Sequence, residues 1–131
     1  MIYVSISTIP QRIKNLNESV KSLLNQTKKP DKIFINIPFK YQRFTEIIKD
    51  DQIPKFDSNL IEITRCEDCG PATKLLGSLN KLEKNSLVIL ADDDHTYENY
   101  MIEKFFYFYS KAPNNAYSFY VHPLGKFGIG Q

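Results

Sequence analysis

Leu87-Val-Ile-Leu-Ala-Asp-Asp-Asp-His95 is the stretch that decides how the rest of the chain is read. Its five leading residues read as the most apolar strand of the sequence. The run leads directly into three carboxylates. Like charges this close raise one another's pKa, so the triplet is costly unless something neutralises it. Extended backbone alternates its side chains, which sends Asp92 and Asp94 to one side and Asp93 to the other. Two carboxylates on one side make a hard-oxygen site for Mg²⁺ or Mn²⁺, able also to hold a diphosphate. The competing reading is a solvated acidic loop capping the next helix. The apolar strand before the triplet and the helix after it favour the metal.

Upstream, residues 3–7 are a short apolar run suited to a first buried strand. Thr8-Ile9-Pro10-Gln11 follows with the spacing of a capping box. The helix expected there carries Ile13, Leu16, Val20, Leu23 and Leu24 on one face. Pro30-Asp31 ends it, and residues 32–37 form a second β-rich run closed by Pro38. Residues 39–56 read as a long polar connection, with a helical turn or two over 44–49. A third strand covers 60–64. Gly70-Pro71 opens a second helix with proline at its first position and an apolar stripe of Leu75, Leu76, Leu79 and Leu82. Downstream of the triplet, Thr96 is placed to cap a helix to about Ser110, with Met101, Ile102, Phe105 and Tyr109 inward. Asn114-Asn115 then turns the chain into a last strand over 117–121.

Alternating strands and helices predict an α/β domain with a mostly parallel sheet and helices on both faces, one domain over residues 1–131. Ligands of such sheets bind beyond the carboxyl ends of the strands, where strand order reverses. For the order 3-2-1-4 that point lies between the first and fourth strands, at loops 8–12 and 92–95.

Three ordered pieces carry a more specific likeness: Val4-Ser-Ile-Ser-Thr-Ile-Pro-Gln-Arg12, Gly70-Pro-Ala-Thr-Lys-Leu75 and Val88-Ile-Leu-Ala-Asp-Asp-Asp94. Together they resemble the nucleotide-binding half of a GT-A glycosyltransferase of the family-2-like kind. The resemblance implies a Rossmann-like sheet that binds a nucleoside diphosphate sugar, UDP-linked for preference, with Mn²⁺ or Mg²⁺. The implied reaction is glycosyl transfer to a hydroxyl of a glycan or other acceptor. By the same likeness Asp94 binds the metal, while Asp92 and Asp93 contact the ribose or a metal-bound water. Thr8 and Arg12 fall in the loop that touches the nucleoside, and Arg12 is suited to a diphosphate. Gly70 to Lys74 resembles the segment lying against the nucleotide, where helix amides and the Lys74 ammonium favour an anion. Asn36 stands where many members carry an acidic residue that reads the uracil, and an amide there leaves the base open.

In that family the catalytic base and the acceptor site lie in a C-terminal half, most of which this sequence is expected to lack. No catalytic residue is therefore assigned. A partner chain or a second copy in a homodimer would supply the acceptor side. The alternatives are a nucleotide-sugar-binding module without turnover and a nucleotidyltransferase. The latter usually carries a glycine- and lysine-rich phosphate loop, which Ile9-Pro10-Gln11-Arg12 is not.

The remaining features are weighed against plainer readings. Cys66-Glu-Asp-Cys69 supplies half of a zinc site, with His95 and His122 in no finger-like spacing. A redox role for the pair is the other option, and two reduced thiols at a strand end is the plain one. His95 is a metal or phosphate ligand, or a helix-start residue. Tyr41 and Arg43 lie in the long loop, where a donor contact is open to them but nothing in their pattern demands one. The aromatic cluster 105–109 reads as core rather than sugar platform. A net charge of +2 with scattered Lys and Arg argues against nucleic acid. No apolar run approaches a membrane span. The N-terminus lacks the basic region and cleavage site of a signal peptide, and two cysteines without an export signal point to the cytoplasm.

Overall fold

The computed structural model describes residues 1–114. Strands and helices alternate as β1 (Ile2–Ser7), α1 (Leu16–Leu24), β2 (Lys32–Pro38), β3 (Ile61–Cys66), α2 (Thr73–Leu76), β4 (Leu87–Asp92) and α3 (Met101–Lys111). The four strands pair in the order β3-β2-β1-β4, all parallel, the expected order of a Rossmann-like α/β sheet. The strand expected over 117–121, His122 and the glycine-rich end of the sequence lie outside the described residues. Among the described residues no helix is long and apolar enough to cross a membrane.

Period-two alternation gives the sheet one apolar face. Ile2, Val4 and Ile6 of β1 share it with Ile33, Ile35 and Ile37 of β2 and with Leu87, Ile89 and Ala91 of β4. These side chains are buried against Leu16, Val20 and Leu23 of α1 and Met101 and Ile102 of α3. Each fully buried aliphatic side chain contributes about 1.5–3 kcal/mol, which makes this layer the main source of cohesion.

The entries to both long helices differ from expectation. The chain reaches α1 through a 3-10 turn, Pro10–Asn15, whose N-cap is Ile9 and which no side chain caps. The Thr8 hydroxyl is drawn away to a buried carboxylate, described below, so the capping box does not form. At the other end Thr96 is exposed and α3 starts at Met101. Gln26 does the capping instead: its Oε1 accepts from Ile102 N at 3.0 Å and its Nε2 donates to Glu98 O at 2.8 Å. Phe105 and Tyr109 face the core as predicted, but Tyr107 and Phe108 of the same aromatic cluster are exposed.

The second sheet face is polar near its centre, and this reshapes α2. Ser5 and Asn36 are fully buried there. The Asn36 amide Nδ2 donates to Ser5 Oγ at 3.1 Å and to the carbonyls of Thr73 and Lys74 at 3.0 and 3.3 Å. Ser78 Oγ lies 2.9 Å from Ser5 Oγ. The long helix with a leucine stripe is therefore not formed. The four-residue α2 is flanked by 3-10 turns Gly70–Ala72 and Leu79–Lys81, with Leu76 and Leu79 exposed and Thr73 and Ser78 buried in their place. Polar groups on the sheet demanded polar partners, and the leucine periodicity lost to that demand.

The connection after β2 also departs from expectation. Its helical turn is a 3-10 turn at Asp50–Gln52, rather than over 44–49. Arg65 of β3 secures the loop, donating to Ile48 O at 2.8 Å and Pro38 O at 3.2 Å and pairing with Asp50 at 2.8 Å.

Candidate functional site

β1 and β4 are neighbours, with Ser7 beside Asp92 at their carboxyl ends. β2 lies on the other side of β1, so the order reverses here. A cleft opens at this point, walled by Thr8 and Arg12 after β1, Tyr41 and Arg43 after β2, Lys74 on α2, and Asp92 and Asp93 at the end of β4. Five sequence positions named for a donor or metal site thus meet in one place, from segments up to 85 residues apart.

The triplet divides as the alternation predicts. Asp92 and Asp94 are about half exposed, at 51% and 53%, while Asp93 is 3% exposed. Asp93 Oδ2 accepts the Thr8 hydroxyl at 2.6 Å and Arg12 Nε at 3.2 Å. Its Oδ1 lies 3.1 Å from the same nitrogen. The turn itself is pinned to α1, because Ser19 Oγ donates to Asp93 O at 2.8 Å and to His95 O at 2.5 Å. Asp93 is thus buried where it meets the cleft, its carboxylate held by Thr8 and Arg12.

Outside the turn, Lys74 Nζ stands 3.0 Å from Asp92 Oδ1. His95 Nδ1 is 3.0 Å from Asp94 Oδ1 and 3.9 Å from Asp92 Oδ2. One ligand atom from each of Asp92, Asp94 and His95 falls within 4.8 Å of the others, a span that one cation can bridge. The hydrogen bond from His95 holds the Asp94 carboxyl below its ordinary range. Tyr97 supports Asp92 from behind: its hydroxyl accepts from Asp92 N at 2.7 Å, and burial raises its pKa.

Opposite the triplet, the Tyr41 hydroxyl donates to Thr8 O at 2.8 Å and is pushed up to about 12, chiefly by burial. It stays neutral and holds the β1 loop. Phe44 packs edge-on to Tyr41, with ring centroids 5.9 Å apart, and Arg43 lies over the Phe44 ring. Asp68 also lines the cleft and accepts from the amides of Gln42 and Gly70, both at 2.8 Å, which hold its carboxyl below the usual value. Phe44 and Asp68 were not anticipated in this wall. The signal for Asp68 was an Asp two residues before a glycine, a local turn pattern. It was overshadowed by the cysteines on either side.

Asn36 does not face the cleft. It is sealed under α2 by the contacts described above. Cys66 and Cys69 are free thiols outside the cleft lining. Burial, reinforced by neighbouring Cys69, pushes the Cys66 thiol up to about 11, which suppresses the thiolate needed for metal binding or redox attack.

Comparison with models of known protein families gives no match for this chain, and comparison with curated protein sequences gives none either.

Proposed function

We propose that the chain binds a nucleoside diphosphate sugar together with Mn²⁺ or Mg²⁺, as the donor site of a glycosyltransferase of GT-A type. The single observation that carries this reading is the convergence at the β1–β4 reversal. Asp92, Arg12 and Lys74 wall one cleft there, and the exposed Asp94 adjoins it, sharing His95 with Asp92. A cleft of mixed sign suits a ligand that is itself a metal–diphosphate complex. A free anion would be repelled by the carboxylates, and a bare cation would leave Arg12 without a counterpart in the ligand.

The donor set fits a hard divalent cation. Asp92 and Asp94 offer oxygens, with His95 as a third ligand, and the open side leaves room for phosphate oxygens and water. Such a cation, when bound, neutralises charge on the departing diphosphate during glycosyl transfer to an acceptor hydroxyl. The residues of the chain orient the donor. Lys74 and Arg12 approach the diphosphate, and Thr8 shapes the loop facing the nucleoside. Tyr41, Phe44 and Asp68 form the wall against which a base would rest. UDP is favoured by the likeness to family-2-like enzymes.

Calorimetric titration with UDP, GDP, CDP, ADP and their sugar conjugates in Mn²⁺ tests the reading and assigns the base. Saturable binding of at least one nucleoside diphosphate, tighter than that of its monophosphate, supports it. Failure of every nucleotide to bind would refute it.

A further inference from the structure

Arg12 and Asp93 form a unit whose purpose is not explained by ligand contact at Asp93. The Asp93 carboxylate is 3% exposed, and Thr8 and Arg12 already occupy it through three short contacts. A buried charge is tolerated only when it is paired and hydrogen-bonded, and here the partner is a guanidinium whose own side chain is 45% exposed in the cleft wall. The carboxylate engages Nε alone. Among the described residues nothing takes the two terminal Nη groups. A guanidinium is a planar fork, so a carboxylate fixed at Nε sets the plane and leaves the edge between the Nη groups for another partner. Two oxygens of a phosphate or diphosphate match that edge in a bidentate manner.

Resting on the reading of the cleft as a diphosphate site, we infer that Asp93 is a positioning residue. With Thr8 it immobilises Arg12, so that the guanidinium edge is a preformed grip for the diphosphate. Asp92 and Asp94, the exposed carboxylates of the turn, serve the cation. The triplet is therefore split by function as well as by direction, two carboxylates for the metal and one for the arginine.

The sign of one substitution separates this from simple electrostatics. Asp93→Asn removes a negative charge beside an anion site, and charge alone predicts tighter anion binding. Loss of the anchor predicts weaker binding, because Arg12 must then be ordered at the moment the ligand arrives. Calorimetry with inorganic pyrophosphate and Mn²⁺ reads the difference in wild type, Asp93→Asn, Arg12→Ala, Arg12→Lys and the Asp93→Asn/Arg12→Ala double variant. The expected result is a loss of roughly tenfold or more for Asp93→Asn, a similar loss for Arg12→Lys, and no further loss when Asp93→Asn is added to Arg12→Ala.

Unchanged or tighter binding by Asp93→Asn would overturn the inference. Should that variant fail to fold by circular dichroism, Arg12→Lys carries the test. It keeps the charge on an exposed side chain but removes the Nε–H, and wild-type affinity there would overturn the inference equally. UDP binding that persists unchanged in Asp93→Asn and Arg12→Lys removes the grip and leaves the donor-site reading standing. Pyrophosphate binding that needs Arg12 and Asp93, with no nucleotide binding at all, supports the grip and removes the nucleoside from the account.

Discussion

Gly77→Ala sets two effects of known size against each other on the element that carries Lys74. Gly77 follows α2 with φ −63° and ψ −24°, a conformation alanine adopts freely. On backbone entropy alone the substitution should stabilise the protein by about 0.4–1 kcal/mol. The added Cβ, however, would meet Asn36 Cβ and Cγ at 2.8 Å and Thr73 O at 2.9 Å. None of these atoms can retreat cheaply. Asn36 is fully buried in β2 and donates to Ser5 and to the α2 carbonyls, and Thr73 O is itself one of those acceptors. Overpacking of this kind typically costs about 1–3 kcal/mol, so the clash wins. The net loss is then on the order of 1–2 kcal/mol, a fall in Tm of roughly 3–10 °C for a chain of this size. Thermal unfolding followed by circular dichroism checks it, with urea unfolding to confirm that the slope is unchanged. A Tm equal to or above wild type would show that α2 is not seated on Asn36 as described, and that the position of Lys74 is not fixed by this contact.

Three further outcomes follow from the site and its surroundings. Asp94→Ala should abolish metal-dependent nucleotide binding while shifting stability by no more than about 0.5 kcal/mol, since the side chain is half exposed and its hydrogen bonds are local, to the neighbouring His95 and to its own backbone; loss of the fold in metal-free buffer would show a structural cap instead. Replacing both Cys66 and Cys69 with Ser should leave nucleotide affinity within a few-fold and release no zinc, as measured by calorimetry and metal analysis. Asp68, with its carboxyl held below the usual value by two amides, contributes stability that is present above an unfolded pKa of about 4 and is lost as pH falls through the lower folded value. Asp68→Asn should therefore lower Tm at pH 7, and the gap to wild type should narrow progressively as pH falls below the unfolded value of about 4 toward the lower folded one; a gap that does not narrow in acid would contradict that cause.

The parts of this fold that sequence reveals are those governed by one dominant force. Runs at 3–7, 32–37 and 87–91 read as strands and are strands, and the period of two along the last of them divided Asp92 and Asp94 from Asp93. Misreadings arose where a long-range polar contact overrode a local pattern. Thr8 has the spacing of a helix cap, yet its hydroxyl is claimed by Asp93, 85 residues away. Leu76 and Leu79 repeat at helical spacing, but the sheet beneath them offers Ser5 and Asn36, so the segment turned its serine and threonine inward. Gln26 caps α3 from the end of α1, a role that no pattern around residue 96 could disclose. The cleft itself followed from strand order, whereas its far wall of Phe44 and Asp68 depended on how an irregular loop closes over β2 and β3.

The central claim is that the cleft takes a metal–diphosphate complex, and the most direct measurement is the Tm of the chain with UDP in Mn²⁺ compared with UDP in EDTA. Binding to the native state alone stabilises by about 2.7 kcal/mol when ligand is a hundredfold above its dissociation constant. A clear rise in Tm with Mn²⁺ and none in EDTA is the predicted result, because without the cation Asp92 and Asp94 repel the diphosphate. An equal rise in both would contradict the account and leave Lys74 and Arg12 as the whole of the anion site.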